Sequence, residues 1–196
     1  RPPRATVLYL SIVGCDRIPQ HYYRAKYACE LVLERSQLPV TVVRTTQFHT
    51  LLEVIARTAT VGPLALAARG MSFQPCDHHW VAAELADVAL GPSPSGYHRA
   101  ADRARPEQVT LAEAVALIRH KDGKPPPRLI TLTPRGGTLR AYAAGANLPD
   151  ADARIMVARR TRIEPRSGRK LPIWRPARSI RSIRCSSSTA SSRRST

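Results

Sequence analysis

The sequence has few cysteines and few acidic residues, and it contains no long hydrophobic run. Its four cysteines lie far apart, and no Cys-x-x-Cys pair occurs. This spacing does not support a disulfide framework, and it is typical of a reducing compartment, so we expect a cytoplasmic protein. The apolar run near the N-terminus has about nine residues, whereas a membrane-spanning helix needs about 20. We therefore expect no membrane partner.

Acidic residues are scarcest in the last part of the chain. The 196 residues include 31 Lys and Arg against 14 Asp and Glu, a net charge of +17. Residues 154–196 hold thirteen of these basic residues and one acid, Glu164, so residues 1–153 carry only +5. Nucleic-acid binding by the whole chain is therefore not indicated, because it would depend on residues 154–196 alone.

A change in composition divides the chain at about residue 154. Beyond it, hydrophobic periodicity ends and Arg, Ser and Pro dominate. Such a segment buries too little apolar surface to offset chain entropy. We predict a folded region over residues 1–153 and a disordered basic tail over 154–196, whose partners would be non-specific anionic molecules.

The first forty-five residues predict a β-α-β unit. Residues 6–13 form a β-branched and aliphatic run, which is typical of a strand buried on both faces of a parallel sheet. A helical pattern follows over about 20–36, and a second apolar run spans Leu38–Arg44. Two such strands joined by a helix are expected to be parallel.

Later elements are marked by caps and breakers. Asp77 is a candidate N-cap for a helix over Trp80–Leu90, and Thr110 with Glu113 has the spacing of a capping box. Short strands are predicted at Met71–Gln74 and Leu129–Leu132, and a short Ala-rich helix after Gly136.

The β-α-β unit carries candidate catalytic residues. Tyr22 and Lys26 are four residues apart, so they share one face of the predicted helix, near the strand end that carries Ser11. A neighbouring ammonium lowers the pKa of a phenol, which can then exchange a proton with a substrate oxygen. A serine hydroxyl can hold the same oxygen. The alternative is a surface Tyr-Lys pair on an amphipathic helix without a catalytic role.

Several motifs occur in the order known from one family. They are Ser11-x-x-Gly14; Tyr22, Lys26 and Glu30 on one helix; the strand ending Arg44-x-x-Gln47-Phe48; Phe73-Gln74-Pro75 with Asp77; Pro106–Leu111; and Gly145–Leu148. Over residues 5–150 the chain resembles the C-terminal half of an atypical short-chain dehydrogenase/reductase of the NmrA-like, NAD(P)-binding group. The resemblance implies a partial doubly wound, Rossmann-type α/β sheet with a small C-terminal α/β region on the substrate side.

The resemblance also implies a role for each matching residue. Tyr22 would be the proton donor or acceptor, Lys26 would bind the nicotinamide ribose and tune Tyr22, and Ser11 would polarise the substrate. The other implied contacts are Arg44, Thr45, Thr46 and Gln47 with the nicotinamide, and Phe48 and Gln74 with a small-molecule substrate. The cofactor would be NADP or NAD.

The chain departs from this family at its phosphate-binding part. None of its ten glycines forms a G-x-G-x-x-G turn, which holds the pyrophosphate at a helix N-terminus in such proteins. The chain opens at what would be the fifth strand. We therefore expect a truncated oxidoreductase-like chain that binds the dinucleotide poorly and lacks activity alone. Two alternatives are a non-catalytic NAD(P)-sensing regulator and a nucleic-acid-associated protein that acts through its tail.

Cys76, Asp77, His78 and His79 group potential metal ligands. Consecutive residues on a helix cannot all face one ion, and the sequence offers no partner cluster. We expect a polar helix N-terminus here and no metal site.

Overall fold

Strands and short helices alternate along the described part of the chain, which in this computed structural model comprises residues 6–155. The helices are α1 (His21–Arg35), α2 (His49–Thr58), α3 (His78–Leu90), α4 (Leu111–Lys121) and α5 (Gly136–Ala143). The strands are β1 (Val7–Ile12), β2 (Val40–Thr45), β3 (Thr60–Val61), β4 (Leu64–Ala68), β5 (Ser72–Phe73), β6 (Tyr97–Arg99), β7 (Arg103–Ala104), β8 (Val109–Thr110), β9 (Arg128–Leu132) and β10 (Arg154–Ile155).

The main sheet is parallel throughout. Its order is β1-β2-β7-β10, and β6 also pairs with β2, so β6 and β7 share one side of β2. The strands β1 and β2 pair over their full length, from Val7 opposite Val40 to Ile12 opposite Thr45. The α/β fold with a Rossmann-type parallel sheet is therefore confirmed for the described residues.

Burial differs between the two strands of the predicted β-α-β unit. All six residues of β2 are buried, as the apolar run predicted. In β1 only Ser11 and Ile12 are buried, and the first four residues are half-buried. The prediction that β1 is buried on both faces is therefore wrong for its first four residues. The reason is that, among the described residues, β1 has a neighbouring strand on one side only.

The rest of the described chain forms a second, smaller sheet, a short strand pair and two helices that pack on each other. Strand β4 pairs with β3 in a hairpin and with β9 in parallel, while β5 and β8 form an antiparallel pair. Helices α2 and α4 pack on each other, and α4 packs on β4. The hydrophobic core here includes Leu52, Ala65, Phe73, Leu111 and Val115. This arrangement places the start of α2 beside the ends of β1 and β2.

The predicted helix caps are present. The Asp77 side chain accepts a hydrogen bond from the Trp80 backbone amide, and α3 begins at the next residue, His78. Thr110 and Glu113 bind each other's backbone amides in a complete capping box that starts α4. Each cap satisfies backbone donors that the first helical turn leaves free.

A glycine shapes the turn that follows β1. Gly14 has a φ of +82°, and a Cβ placed there would lie 2.2 Å from the carbonyl oxygen of Ala146. Any side chain at this position would therefore meet both backbone strain and a clash. The turn after Ser11 depends on this close approach of a segment far along the chain.

Most of the predicted tail lies outside the described residues. Its first two residues, Arg154 and Ile155, form β10 and pair with β7. The predicted boundary at residue 154 and the partners of the tail stay predictions. None of the helices within residues 6–155 is both long and apolar enough to cross a membrane.

Candidate functional site

A small cleft lies at the carboxyl ends of β1 and β2. Its volume is about 90 Å³, and it is lined by Leu10, Ser11, Ile12, Tyr22, Lys26, Thr45, Thr46, Phe48 and Leu51. The parallel register brings Ser11 and Ile12 beside the end of β2, and the crossover helix α1 begins at the same edge. In open α/β sheets this edge is where ligands bind.

Six of the nine residues predicted for the site line this cleft. They are Ser11, Tyr22, Lys26, Thr45, Thr46 and Phe48. The other three, Arg44, Gln47 and Gln74, do not line it. The roles assigned to all nine stay predictions, while their positions are described by the structure.

Lys26 is held between two aromatic rings. Its ammonium donates a hydrogen bond of 3.0 Å to the carbonyl oxygen of Leu10. The nitrogen lies 5.0 Å from the centre of the Tyr9 ring and 6.0 Å from the centre of the Tyr22 ring. Cation–π attraction and the hydrogen bond fix the ammonium beside Tyr22. The Tyr22 side chain is 52% exposed and is therefore accessible from the cleft.

Ser11 is buried at the inner end of the cleft. Its hydroxyl donates to the Cys15 sulfur at 3.8 Å, and the Cys15 thiol donates to a Glu30 carboxylate oxygen at 3.3 Å. Burial raises the pKa of Cys15 to about 12, so the thiol stays neutral and remains a donor at neutral pH. The Ser11 oxygen keeps its lone pairs, because it acts as the donor in its one hydrogen bond within the described residues.

Arg44 lies behind the cleft in a buried ion pair. Its Nε and Nη2 donate to the two oxygens of Glu30 at 3.0 and 2.6 Å, and its Nη1 donates to Asp16 at 2.9 Å. Burial by itself would raise the pKa of Glu30, but the hydrogen bonds from Arg44 hold it below its usual value. The guanidinium therefore anchors β2 to α1 and points away from the cleft.

Hydrogen bonds also hold the side chains of Gln47 and Gln74 away from the cleft. The Gln47 amide donates to the Tyr23 hydroxyl at 3.3 Å, and its oxygen accepts from Asn147 at 3.5 Å. The Gln74 amide donates to the carbonyl oxygen of Arg105. Residues distant in sequence supply these partners, so local sequence patterns cannot identify them.

Three cleft residues were not predicted. Leu10 and Ile12 flank Ser11 on β1, and Leu51 lies in the first turn of α2. Leu51 follows Phe48 by three residues at a helix start, a spacing that places both on one side of the chain. This three-residue spacing is the one signal in the sequence from which Leu51 could have been predicted as a cleft residue.

The four potential metal ligands at positions 76–79 do not converge on one point, because each has different local contacts. The Cys76 sulfur lies 2.9 Å from the Thr46 hydroxyl oxygen, Asp77 caps α3, and the rings of His78 and His79 stack at 4.1 Å. Within residues 6–155 no group of three or more His, Cys, Asp or Glu side chains is placed to hold a metal ion.

No protein-family model matches the chain, and no curated protein matches it. Its structure is similar to that of an NADPH-dependent quinone oxidoreductase from Escherichia coli. The TM-score is 0.56 and the identity 16%, over 74% of this chain and 59% of that one. A structure of such an enzyme complexed with NADPH gives 17% identity and a TM-score of 0.50, over 65% and 44% of the two chains.

A functionally unknown conserved protein from Silicibacter pomeroyi is similar to the same degree. It shows 16% identity and a TM-score of 0.50, over 77% of this chain and 57% of that one. The chain thus spans less than two thirds of the length of these proteins. At such identities the likeness concerns the fold alone: the chain shares a Rossmann-type α/β fold with these proteins.

Proposed function

We propose that this chain is part of an NAD(P)-dependent oxidoreductase of the atypical short-chain dehydrogenase class, with NmrA-like proteins as its relatives. The observation that carries the proposal is the meeting of Ser11, Tyr22 and Lys26 in one cleft at the carboxyl edge of a parallel sheet. Two further observations support it: the chain is similar in fold to an NADPH-dependent quinone oxidoreductase, and the sequence motifs occur in the family's order.

The described residues fit one half of a dinucleotide. Lys26 and Thr45 place an ammonium and a hydroxyl-bearing residue at the cleft, which suits a ribose, whereas the Thr46 hydroxyl already donates to the carbonyl oxygen of Gln74. Among residues 6–155 no glycine-rich turn leads into a helix N-terminus in the way that pyrophosphate binding requires. We propose that these residues supply the nicotinamide and substrate side, and that they bind the dinucleotide weakly by themselves.

The proposed chemistry is a proton transfer at the Tyr22 hydroxyl. NAD(P), when bound, supplies or accepts the hydride. The Lys26 ammonium, 6.0 Å from the centre of the Tyr22 ring, places a positive charge beside the residue that would transfer the proton. The Ser11 oxygen, whose proton is donated to Cys15, can accept a hydrogen bond from a substrate hydroxyl, while Phe48 and Leu51 keep water from the inner cleft. These roles assign acid–base catalysis to Tyr22 and positioning to the other residues.

Replacement of Tyr22 tests this proposal. In a longer form that also carries a phosphate-binding half, Tyr22→Phe keeps the ring beside Lys26 and removes the hydroxyl, so turnover should fall about 10²–10⁴-fold. NADPH oxidation would be followed with a panel of quinones and small carbonyl compounds, and NADPH affinity would be measured alongside by calorimetry. The matched control is Tyr27→Phe, on the same helix but outside the cleft, which should leave turnover unchanged. Equal turnover of Tyr22→Phe and the unmodified longer form would contradict the acid–base role.

One observation favours a second candidate, a non-catalytic NAD(P)-sensing regulator. Ser11 is only 3% exposed, and its hydroxyl is bonded to Cys15 rather than directed to a substrate. A sensor needs the nicotinamide side of the cleft but no free catalytic hydroxyl. NADPH binding without turnover of any compound in the panel would support this candidate over the enzyme.

A further inference from the structure

A second cleft lies at the opposite end of α2 from the first. It has a volume of about 350 Å³ and is formed where the C-terminal ends of α2 and α4 meet the turn after β3. Its apolar floor consists of Ala56 and Val115, each 1% exposed, and the half-buried Ile118. None of its residues belongs to the candidate catalytic cleft.

Arg119 is fixed at this cleft with its charge not neutralised. Its Nε donates to the carbonyl oxygen of Pro125 and its Nη1 to that of Gly62, both at 2.7 Å. Both acceptors are neutral, so the guanidinium keeps its full positive charge. Its Nη2 has no hydrogen-bond partner among residues 6–155. The group is therefore oriented in advance and retains free donors.

Lys124 is a second cation at this cleft that has no ion-pair partner among the described residues. Its backbone amide is bonded to the carbonyl oxygen of Arg119 at 2.8 Å, which fixes the turn against α4. Its ammonium forms neither a hydrogen bond nor an ion pair within the described part of the chain. Arg57, the third cation of the cleft, is by contrast neutralised by Asp122 and Glu53. Arg119 and Lys124 are thus the two cations lining the cleft that form no ion pair within residues 6–155, although Lys124 also acts on the nearby Asp122 carboxylate.

We propose that this cleft binds a small amphipathic carboxylate. The carboxylate would accept hydrogen bonds from Arg119 and Lys124, since a guanidinium matches the geometry of a carboxylate. The apolar part would lie on the floor formed by Ala56, Val115 and the half-buried Ile118 and would displace water from the cleft. The volume lies within the range of small-molecule sites, about 300–1,000 Å³. The two helix C-termini carry partial negative charge, which disfavours a multiply charged anion such as phosphate.

A titration with octanoate tests the proposal on the full chain. Octanoate should bind, while octanamide, which lacks the charge, and inorganic phosphate, which lacks the apolar chain, should bind much more weakly. Lys124→Gln should weaken octanoate binding about tenfold, the value of one charge-assisted hydrogen bond. Lys121→Gln is the matched control, because Lys121 is a neighbouring exposed cation that does not line the cleft.

Four results would overturn the proposal. They are an absence of octanoate binding, equal binding of octanamide, equal binding of phosphate, and equal weakening by Lys124→Gln and Lys121→Gln. Lys124 is exposed and makes no side-chain contact that folding needs, so its variant is expected to fold normally. Arg119→Gln provides a second variant, and octanoate should then no longer raise the melting temperature.

Discussion

Two clusters in this protein are each built from one arginine and two carboxylates, yet they differ in burial. In the first, the side chains of Arg44 and Glu30 are 4% and 3% exposed, and only Asp16, at 33%, reaches the surface. In the second, the side chains of Arg57, Glu53 and Asp122 are 45%, 35% and 23% exposed. The hydrogen-bond lengths are similar, from 2.6 to 3.1 Å. Hydrogen-bond geometry alone therefore does not decide how much an ion pair contributes to the stability of the fold.

The difference follows from what each charge would contact without its partner. Around Arg57 water and salt would replace a lost carboxylate at little cost, so the pairs contribute little to stability. Around Arg44 there is no water to replace Glu30, and an unpaired buried charge is costly. The buried cluster therefore holds β1, α1 and β2 in the arrangement that forms the candidate catalytic cleft.

The largest expected effect is that of Arg44→Ala. It leaves Glu30 charged, buried and without its bidentate partner, which should lower the free energy of unfolding by about 3–5 kcal/mol. Urea denaturation followed by circular dichroism measures this change. A loss as small as that of an exposed pair would mean that the two clusters are equivalent.

A smaller effect is expected from Glu30→Gln, together with a change in pH dependence. The amide keeps one acceptor for Arg44 but removes the charge, which should cost about 1.5–3 kcal/mol at neutral pH. The pKa of Glu30 is lowered in the folded state, so its contribution is present above its unfolded value, about 4.3, and is lost as the pH falls below it. In Glu30→Gln the loss of stability on acidification should be shallower. Identical acid slopes for the two chains would contradict this assignment.

The smallest effect is expected from Arg57→Ala. The free energy of unfolding should stay within experimental error of that of the unmodified chain, because the exposed cluster is screened by water and salt. Thermal unfolding at low and high salt would check this, with Arg44→Ala as the reference. A clear loss of stability that high salt abolishes would show that the exposed cluster contributes more than its burial suggests.

The sequence predicts those parts of the fold that depend on local patterns. The α1 helix, the β1–β2 pair, the Asp77 cap and the Thr110–Glu113 capping box all follow from residues close to one another in the chain. The pairing of β4 with β9 was not predicted, because it joins segments more than sixty residues apart. The strands β6 and β7 were not predicted either, because with three and two residues they are too short to show the alternation of apolar and polar residues that marks a strand.

The same division applies to the candidate site. The positions of Ser11, Tyr22 and Lys26 follow from one strand, one helix and the four-residue spacing. The orientations of Gln47 and Gln74 depend on Asn147 and Arg105, which no local pattern connects to them. Buried polar side chains turn toward whichever partners the tertiary fold provides.

The contact between Gly14 and Ala146 has a consequence for the order of events during synthesis. The segment that packs against the turn after Ser11 is made more than 130 residues later than the turn itself. The strand that carries the candidate catalytic serine therefore leaves the ribosome long before its turn acquires its final neighbour. Since contacts between distant residues form late, the cleft is expected to be completed near the end of folding, after β1 and β2 have paired.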